Sequence, residues 1–391
     1  MANQLFINFW IKSDQMVYQI NEVKNNKIFT LAKSSGPLTT NIKTLLSVLE
    51  QISHELDLKH TLKTVVTNVI IDDVKFPEIT LNKVNQEIEV ENKIVNNNHQ
   101  LEINRLIYNA LADKNNDIIL KLNQYQFLVE NDSQINEYKN FPINKNGNKV
   151  KTLATYFSLP NTHNFLKVKD IFESYFQNVN FVLKSQVLGF NSYNESGFNI
   201  NLDLNYNYFS VALIYNGQIV DYLGSSMGIE SILKDLQATW KIDDSQQVYK
   251  KYCFYQLNAN KTNDTEVVLY REVFQNFLSK MLVQTNQFVA NLNLNTGINT
   301  ITLSGFLVDD LNFKNLNFNF AFKRIVQTQE LIIANHLSEE EFIFQSISEY
   351  ELNSLLLENN QAQTINQFLK VSTQKESWLQ KIKKSLSQWR N

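Results

Sequence analysis

A chain of 391 residues with 43% hydrophobic and 19% charged residues is long enough for two or three domains and too apolar to stay disordered. Its net charge of −3 provides no electrostatic footprint for nucleic acid, and no nucleic-acid partner is expected. One cysteine, Cys253, excludes an internal disulfide and fits a reducing compartment. The first residues lack a basic signal region, and no apolar run reaches the ~18 residues of a membrane span, so a soluble cytosolic chain is expected.

The pattern opens with strands at Leu5–Trp10 and Met16–Val23, a turn at Asn25-Asn26 and a third strand at Lys27–Ala32. A helix follows with Ile42, Leu45, Leu46, Leu49, Ile52 and Leu56 on one face, then a β-branched strand, Val65–Ile71. Between Thr80 and Asn161 the pattern gives a helix, Glu102–Ala112, and two long strands, Ile118–Glu130 and Lys149–Leu159. An amphipathic helix, Phe165–Phe176, and a strand, Asn180–Val187, lead on. Three more strands are expected at Asn199–Leu204, Phe209–Tyr215 and Gln218–Leu223, the last two joined by Asn216-Gly217, the signature of a type I′ hairpin.

A helix then carries Ile229, Ile232, Leu233, Leu236 and Trp240 on one face, and a long helix carries Val267, Val273, Phe274, Phe277, Leu278, Met281 and Leu282. Asn299–Ser304 reads as a strand running into Gly305. The capping box Ser338-Glu339-Glu340-Glu341 opens a last core helix that ends near Leu357. Residues 358–374 are polar and without period and read as a linker; residues 375–391 close the chain.

A unit of three strands, a helix and a strand thus occurs twice, separated by inserted material, with negligible identity between the copies. This plan resembles the actin-like (ASKHA) superfamily, an α/β class built on a duplicated βββαβα fold. In layout it is most similar to the FtsA cell-division family, with an FtsA-type inserted subdomain and a C-terminal amphipathic helix. The resemblance implies subdomain 1A at 1–79 and 162–196, the inserted subdomain 1C at 80–161, subdomain 2A at 197–239 and 295–357, subdomain 2B at 240–294, a linker at 358–374 and a membrane helix at 375–391.

Family members hold ATP with Mg on glycine-bearing loops, whose backbone N–H groups approach the phosphates. The chain has only nine glycines. The second phosphate loop of the family reads Asp-Ile-Gly-Gly-Gly-Thr-x-Asp; here Asp203 is kept, but Asn205, Tyr206 and Asn207 replace the glycines, Tyr208 the threonine and Ser210 the last aspartate. In the first loop, Trp10, Lys12, Ser13 and Gln15 stand at the motif positions, and the adenosine loop reads Ser304-Gly305-Phe306. The implied pocket, comprising Ser13, Asp203, Asn205, Asn207, Ser304 and Gly305, reads as vestigial, with the two tyrosines and Phe306 filling nucleotide space. No bound cofactor and no catalytic residue are expected; a rearranged pocket that still holds ATP with Mg is the alternative. The five histidines lack metal-ligand spacing, so no metal is expected.

The segment 375–391, KESWLQKIKKSLSQWRN, places Trp378, Leu379, Ile382, Leu386 and Trp389 within about a 100° arc of a helix. Lys381, Lys383, Lys384 and Arg390 lie outside that arc. An apolar stripe with Trp at both ends and bases beside it suits an anionic membrane interface. The resemblance further implies self-association into filaments at the cytoplasmic side of the plasma membrane. It also implies docking of the FtsZ tail on 240–294, with Arg271 as the matched residue and Lys250, Lys251 and Lys280 assisting. The alternatives are a pilus-assembly or secretion scaffold of related fold and an active actin-fold enzyme such as a sugar kinase.

Overall fold

The computed structural model describes residues 4–12, 15–37, 64–72, 79–112, 117–132, 134–160, 165–176, 179–190, 197–258, 264–292, 298–305, 327–330 and 339–368. The stripe at 42–56, the capping serine Ser338, Ser13, Phe306 and the whole segment 375–391 lie outside the described residues. The chain divides into a large unit, Met1–Ser348, and a second, Glu349–Asn391; the three sheets belong to the first.

The repeat foreseen in the sequence is present as two sheets of one topology. In the first lobe β1 (Gln4–Ile11), β2 (Gln15–Lys24) and β3 (Lys27–Pro37) form an antiparallel meander. β4 (Thr64–Ile71) and β10 (Val179–Leu183) extend it in parallel, giving the order β10-β4-β1-β2-β3. In the second lobe β11 (Phe198–Leu204), β12 (Phe209–Tyr215) and β13 (Gln218–Ser225) are the meander. β14 (Ile298–Gly305) and β15 (Gln327–Glu330) follow in parallel, in the order β13-β12-β11-β14-β15. Both meanders turn on asparagines in the left-handed region: Asn25 and Asn26 at φ 52° and 60°, Asn216 and Gly217 at 52° and 75°. These are the positive angles a type I′ turn requires at both central residues.

The first-lobe core joins Leu5, Ile7 and Phe9 of β1 to Phe165 and Phe172 of the helix Phe165–Tyr175, and takes in Ala212, Ile214 and Ile219 from the second lobe. A row of amides crosses its sheet. Asn180, Asn68, Asn8 and Gln19 are register partners on four neighbouring strands. Asn68 donates to Asn8 at 2.9 Å and Asn180 to Asn68 at 3.2 Å. A one-residue slip of any strand would leave these buried amides unpaired, so the row reinforces the register.

Several boundaries differ from the sequence reading. Ile118–Glu130 is two strands, β6 (Asp117–Ile119) and β7 (Asn123–Glu130), because both pair with β9 (Lys149–Pro160) at different places along it. With β5 (Thr80–Glu89) and β8 (Ile135–Tyr138) they form an antiparallel inserted sheet, covered by α1 (Asn97–Ala112). This sheet lies against β13, the outer strand of the second lobe: Thr155 donates to the Ile219 carbonyl at 2.6 Å, Asn216 to the Tyr125 carbonyl at 2.9 Å, and Lys83 pairs with Asp221 at 2.8 Å.

The strand expected to run to Val187 stops at Leu183 and becomes a short helix, Lys184–Phe190, all of whose residues are buried. The region 240–294 holds two helices rather than one dominant helix, Ser245–Asn258 and Thr265–Asn291. They share one core with Ile229–Trp240 and the strands of the second lobe. The last helix, Glu339–Phe368, continues through the first part of the expected linker.

Candidate functional site

The site is the cleft between the lobes, where β1, β4, β11 and β14 end. Along β11, Ile200, Leu202 and Leu204 enter the second-lobe core. Strand alternation turns Asn199, Asn201 and Asp203 to the other face, toward the first lobe. Asp203 is 1% exposed. Its Oδ1 accepts from Ser304 Oγ at 2.6 Å and from Lys184 Nζ at 3.1 Å, and its Oδ2 accepts from Asn205 Nδ2 at 2.7 Å.

Lys184, 2% exposed, is the hub. It opens the short helix after β10 and donates to Asn205 Oδ1 at 3.3 Å while pairing with Glu339 at 2.5 Å, the first residue of the last helix. The ring of Trp10 lies 5.8 Å from its ammonium, and Trp10 Nε1 donates to Asp72 Oδ1 at 2.7 Å. Lys12 sits over the same ring at 4.1 Å and pairs with Glu340 at 2.8 Å.

Burial works to discharge the Lys184 ammonium, but Asp203, Glu339 and Asp72 outweigh it and hold the proton more firmly than on an ordinary lysine. For Asp72, burial dominates and pushes the carboxyl up to about 6, against the opposing pull of Lys184 and the Trp10 hydrogen bond. A buried charge survives only when paired; Lys184 and Asp203 are such a pair.

Three of the sequence-predicted pocket residues, Asp203, Asn205 and Ser304, are brought together. Gly305 ends β14 at φ 100°, and a Cβ there would stand 2.0 Å from the Leu204 carbonyl oxygen. Its glycine is explained by the β11–β14 pairing. Asn207 is exposed on the turn and takes no part in the cluster. Of the two turn tyrosines expected to fill the pocket, one is buried and one is exposed. Tyr208 packs on β13, its hydroxyl 2.6 Å from that of Tyr222, and Tyr206 is 44% exposed.

The turn Asn205–Tyr208 is tied to itself and to the start of the helix Ile229–Trp240 by backbone hydrogen bonds. Asn205 N–H bonds the Tyr208 carbonyl at 2.7 Å, and the first N–H groups of Ile229–Trp240 are taken by the carbonyls of Asn205 and Tyr206, at 3.3 and 2.6 Å. Gly228 permits this close approach: a Cβ would meet Tyr208 N at 2.4 Å. Lys184, Glu339 and Asp72 were missed in the sequence because lysine is almost never fully buried and its partners lie far along the chain. The one local signal is a lysine set between the apolar runs Phe181–Leu183 and Val187–Leu188. Among the described residues, no group of His, Cys, Asp and Glu is arranged to hold a metal ion.

The expected basic partner site is not one cluster. Lys251 pairs with Glu266 at 2.5 Å and lies 4.9 Å from the Trp240 ring, so it ties its own helix to the two beside it. Lys250 and Lys280 are exposed, and Arg271 is half-buried. Arg271 and Lys280 are nine residues apart on one helix, about 180° out of phase, so they do not share a face.

The doubled sheet order is that of an actin-like fold, and the chain has that fold. Neither a protein-family model nor a curated protein sequence matches the chain. Solved structures that it is similar to include a PilM–PilN type IV pilus biogenesis complex (8% identity, 86% of this chain and 93% of that one, TM-score 0.47). Others are a ROK family protein from Streptococcus pneumoniae TIGR4 in complex with sucrose (12%, 79% and 83%, 0.37) and a protein of unknown function with an actin-like ATPase fold from Bacteroides thetaiotaomicron (14%, 68% and 95%, 0.30). Overlaps this loose carry nothing about function; the fold rests on the strand order itself.

Proposed function

We propose that this chain is a non-enzymatic scaffold of actin-like fold, acting as a peripheral tether on the cytoplasmic side of the plasma membrane. The observation that carries the reading is the cluster at the strand ends: Lys184 is buried against Asp203, with Trp10 beside it, at positions that the resemblance gives to the phosphate loops. On this reading ATP with Mg is not a cofactor and no residue is catalytic. The finer proposal, drawn from the resemblance to the FtsA family, is a cell-division tether. It self-associates into filaments, recruits FtsZ through the FtsZ tail on 240–294, and holds the membrane through 375–391.

Each large apolar side chain buried in the interface contributes roughly 1.5–3 kcal/mol, and each base near an anionic leaflet about 1 kcal/mol. Ordering a short helix consumes part of that gain, so a single copy binds reversibly and a filament binds by avidity. The test is co-sedimentation with phosphatidylglycerol vesicles. Full-length protein should pellet, while Trp378→Glu and a chain ending at Gln374 should stay in solution. Equal pelleting of all three would remove the tether.

FtsZ tail peptide should bind the full chain, with Arg271→Glu weakening it. A chain that binds membrane but not the peptide points instead to a scaffold for another membrane-associated assembly.

A further inference from the structure

Lys184 joins parts of the molecule that the chain order keeps far apart. It follows β10 of the first lobe, and it contacts Asp203 and Asn205 at the end of β11 in the second. It also pairs with Glu339, the first residue of the last helix. On the first-lobe side, Trp10 bridges to it: the ring faces the ammonium and the indole N–H is tied to Asp72, just past β4. Asp203 is itself bound by Ser304, so β14 is included. The ends of β1, β4, β10, β11 and β14 and the starts of two helices therefore meet at one cation. The ammonium is the positive charge at the centre, and Asp203, Glu339 and Asp72 are the negative charges that act on it.

We infer that Lys184 is the built-in closing ligand of the cleft: its ammonium clamps the two lobes together, so that closure is a permanent property of the fold and needs no nucleotide. This deepens the nucleotide-free reading above and rests on it. The physical logic is that the carboxylates around the ammonium repel one another once it is removed. In water-poor surroundings that repulsion is relieved by letting water in, which here means parting the lobes. The apolar contact of Ala212, Ile214 and Ile219 with the first-lobe core acts in the same direction as the clamp. The experiment must therefore separate charge from packing.

The test places spin labels on the full chain at Ser34→Cys and Ala238→Cys, exposed positions in the two lobes, in a Cys253→Ser background, and measures the distance distribution. The wild-type cleft should give one narrow distance, unchanged by excess Mg-ATP. Lys184→Met, which keeps the apolar stem and removes the charge, should give a broader and longer distribution. Lys184→Met with Asp203→Asn, which removes charge from both sides, should narrow it again. Glu339→Gln alters a partly exposed partner and provides a folded variant should Lys184→Met not fold. Amide exchange in Lys184–Phe190 should then rise about tenfold or more. A narrow, unshifted distance in Lys184→Met, or unchanged exchange in Glu339→Gln, overturns the clamp and leaves the scaffold reading standing. A wild-type distance that moves with Mg-ATP overturns the nucleotide-free reading and the clamp together.

Discussion

At the residue scale the decisive pair is Lys184 and Asp203. Each is buried, and each satisfies the other. Removing one partner of a buried ion pair costs about 3–5 kcal/mol, whereas replacing both by apolar groups is often neutral. Asp203→Ala should therefore lower the stability of the protein by about that amount in urea unfolding, and Asp203→Leu with Lys184→Met should recover most of it. Asp72 gives a pH signature of opposite sign to the usual carboxylate. Its folded pKa of about 6 lies above the ordinary carboxyl value of 3.8, so between those values the folded state binds more protons than the unfolded one. Its contribution is fully present below about pH 4 and is lost as pH rises through about 6. Asp72→Asn should flatten that part of the stability profile. A profile that keeps its slope in the variant would assign the titration to another group.

At the element scale, the two halves of the repeat treat their outer strands differently. The outer strand of the second lobe, β13, is covered by the inserted sheet through Thr155, Tyr125 and Lys83. In the first lobe β3 is the terminal strand of its sheet. Phe29 and Leu31 on it are 48% and 44% exposed. The insert is thus an edge cover as well as an added subdomain, which is one way a protein manages unpaired strand groups. β14 makes a related point through Gly305. Its positive φ and the 2.0 Å approach of the Leu204 carbonyl cannot be relieved by a side-chain movement, because the obstacle is backbone. Gly305→Ala should cost about 1–3 kcal/mol, read as a lower midpoint of thermal unfolding. If the glycine served a ligand alone, the variant would unfold like the wild type.

At the scale of the whole molecule, the proposal concerns what does not couple. A ligand that binds only the folded state at about 100 times its Kd adds about 2.7 kcal/mol of stability. Mg-ATP should add none to this protein, and calorimetric titration should show no saturable heat. Micromolar binding would restore the alternative of a rearranged pocket. On the proposed reading, assembly and membrane attachment would depend on concentration and avidity rather than on hydrolysis.

Much of the fold was legible in the sequence because its signals are local. The hairpin turns follow from Asn25-Asn26 and Asn216-Gly217, the helix Ile229–Trp240 from its apolar spacing, and the duplicated order of elements from reading those signals twice. Elements with weak local signals were lost. β5 has only one buried residue, and Ser245–Asn258 buries Val248, Tyr252 and Tyr255, a stripe in which tyrosine blurs the apolar period. That Asn205, Tyr206 and Asn207 stand where the resemblance implies glycines was also legible. What occupies the cleft was not. Whether a lysine is solvated or buried depends on where its counter-charges lie, and those of Lys184 are set by strand order and by the start of a helix far along the chain. By itself the sequence determined the repeat, the turns and the absence of glycine at Asn205–Asn207, because each depends on neighbours a few residues away. Only the tertiary structure decided that Lys184, Asp203, Glu339 and Trp10 meet, because burying a charge depends on groups that the chain brings together only when it is folded.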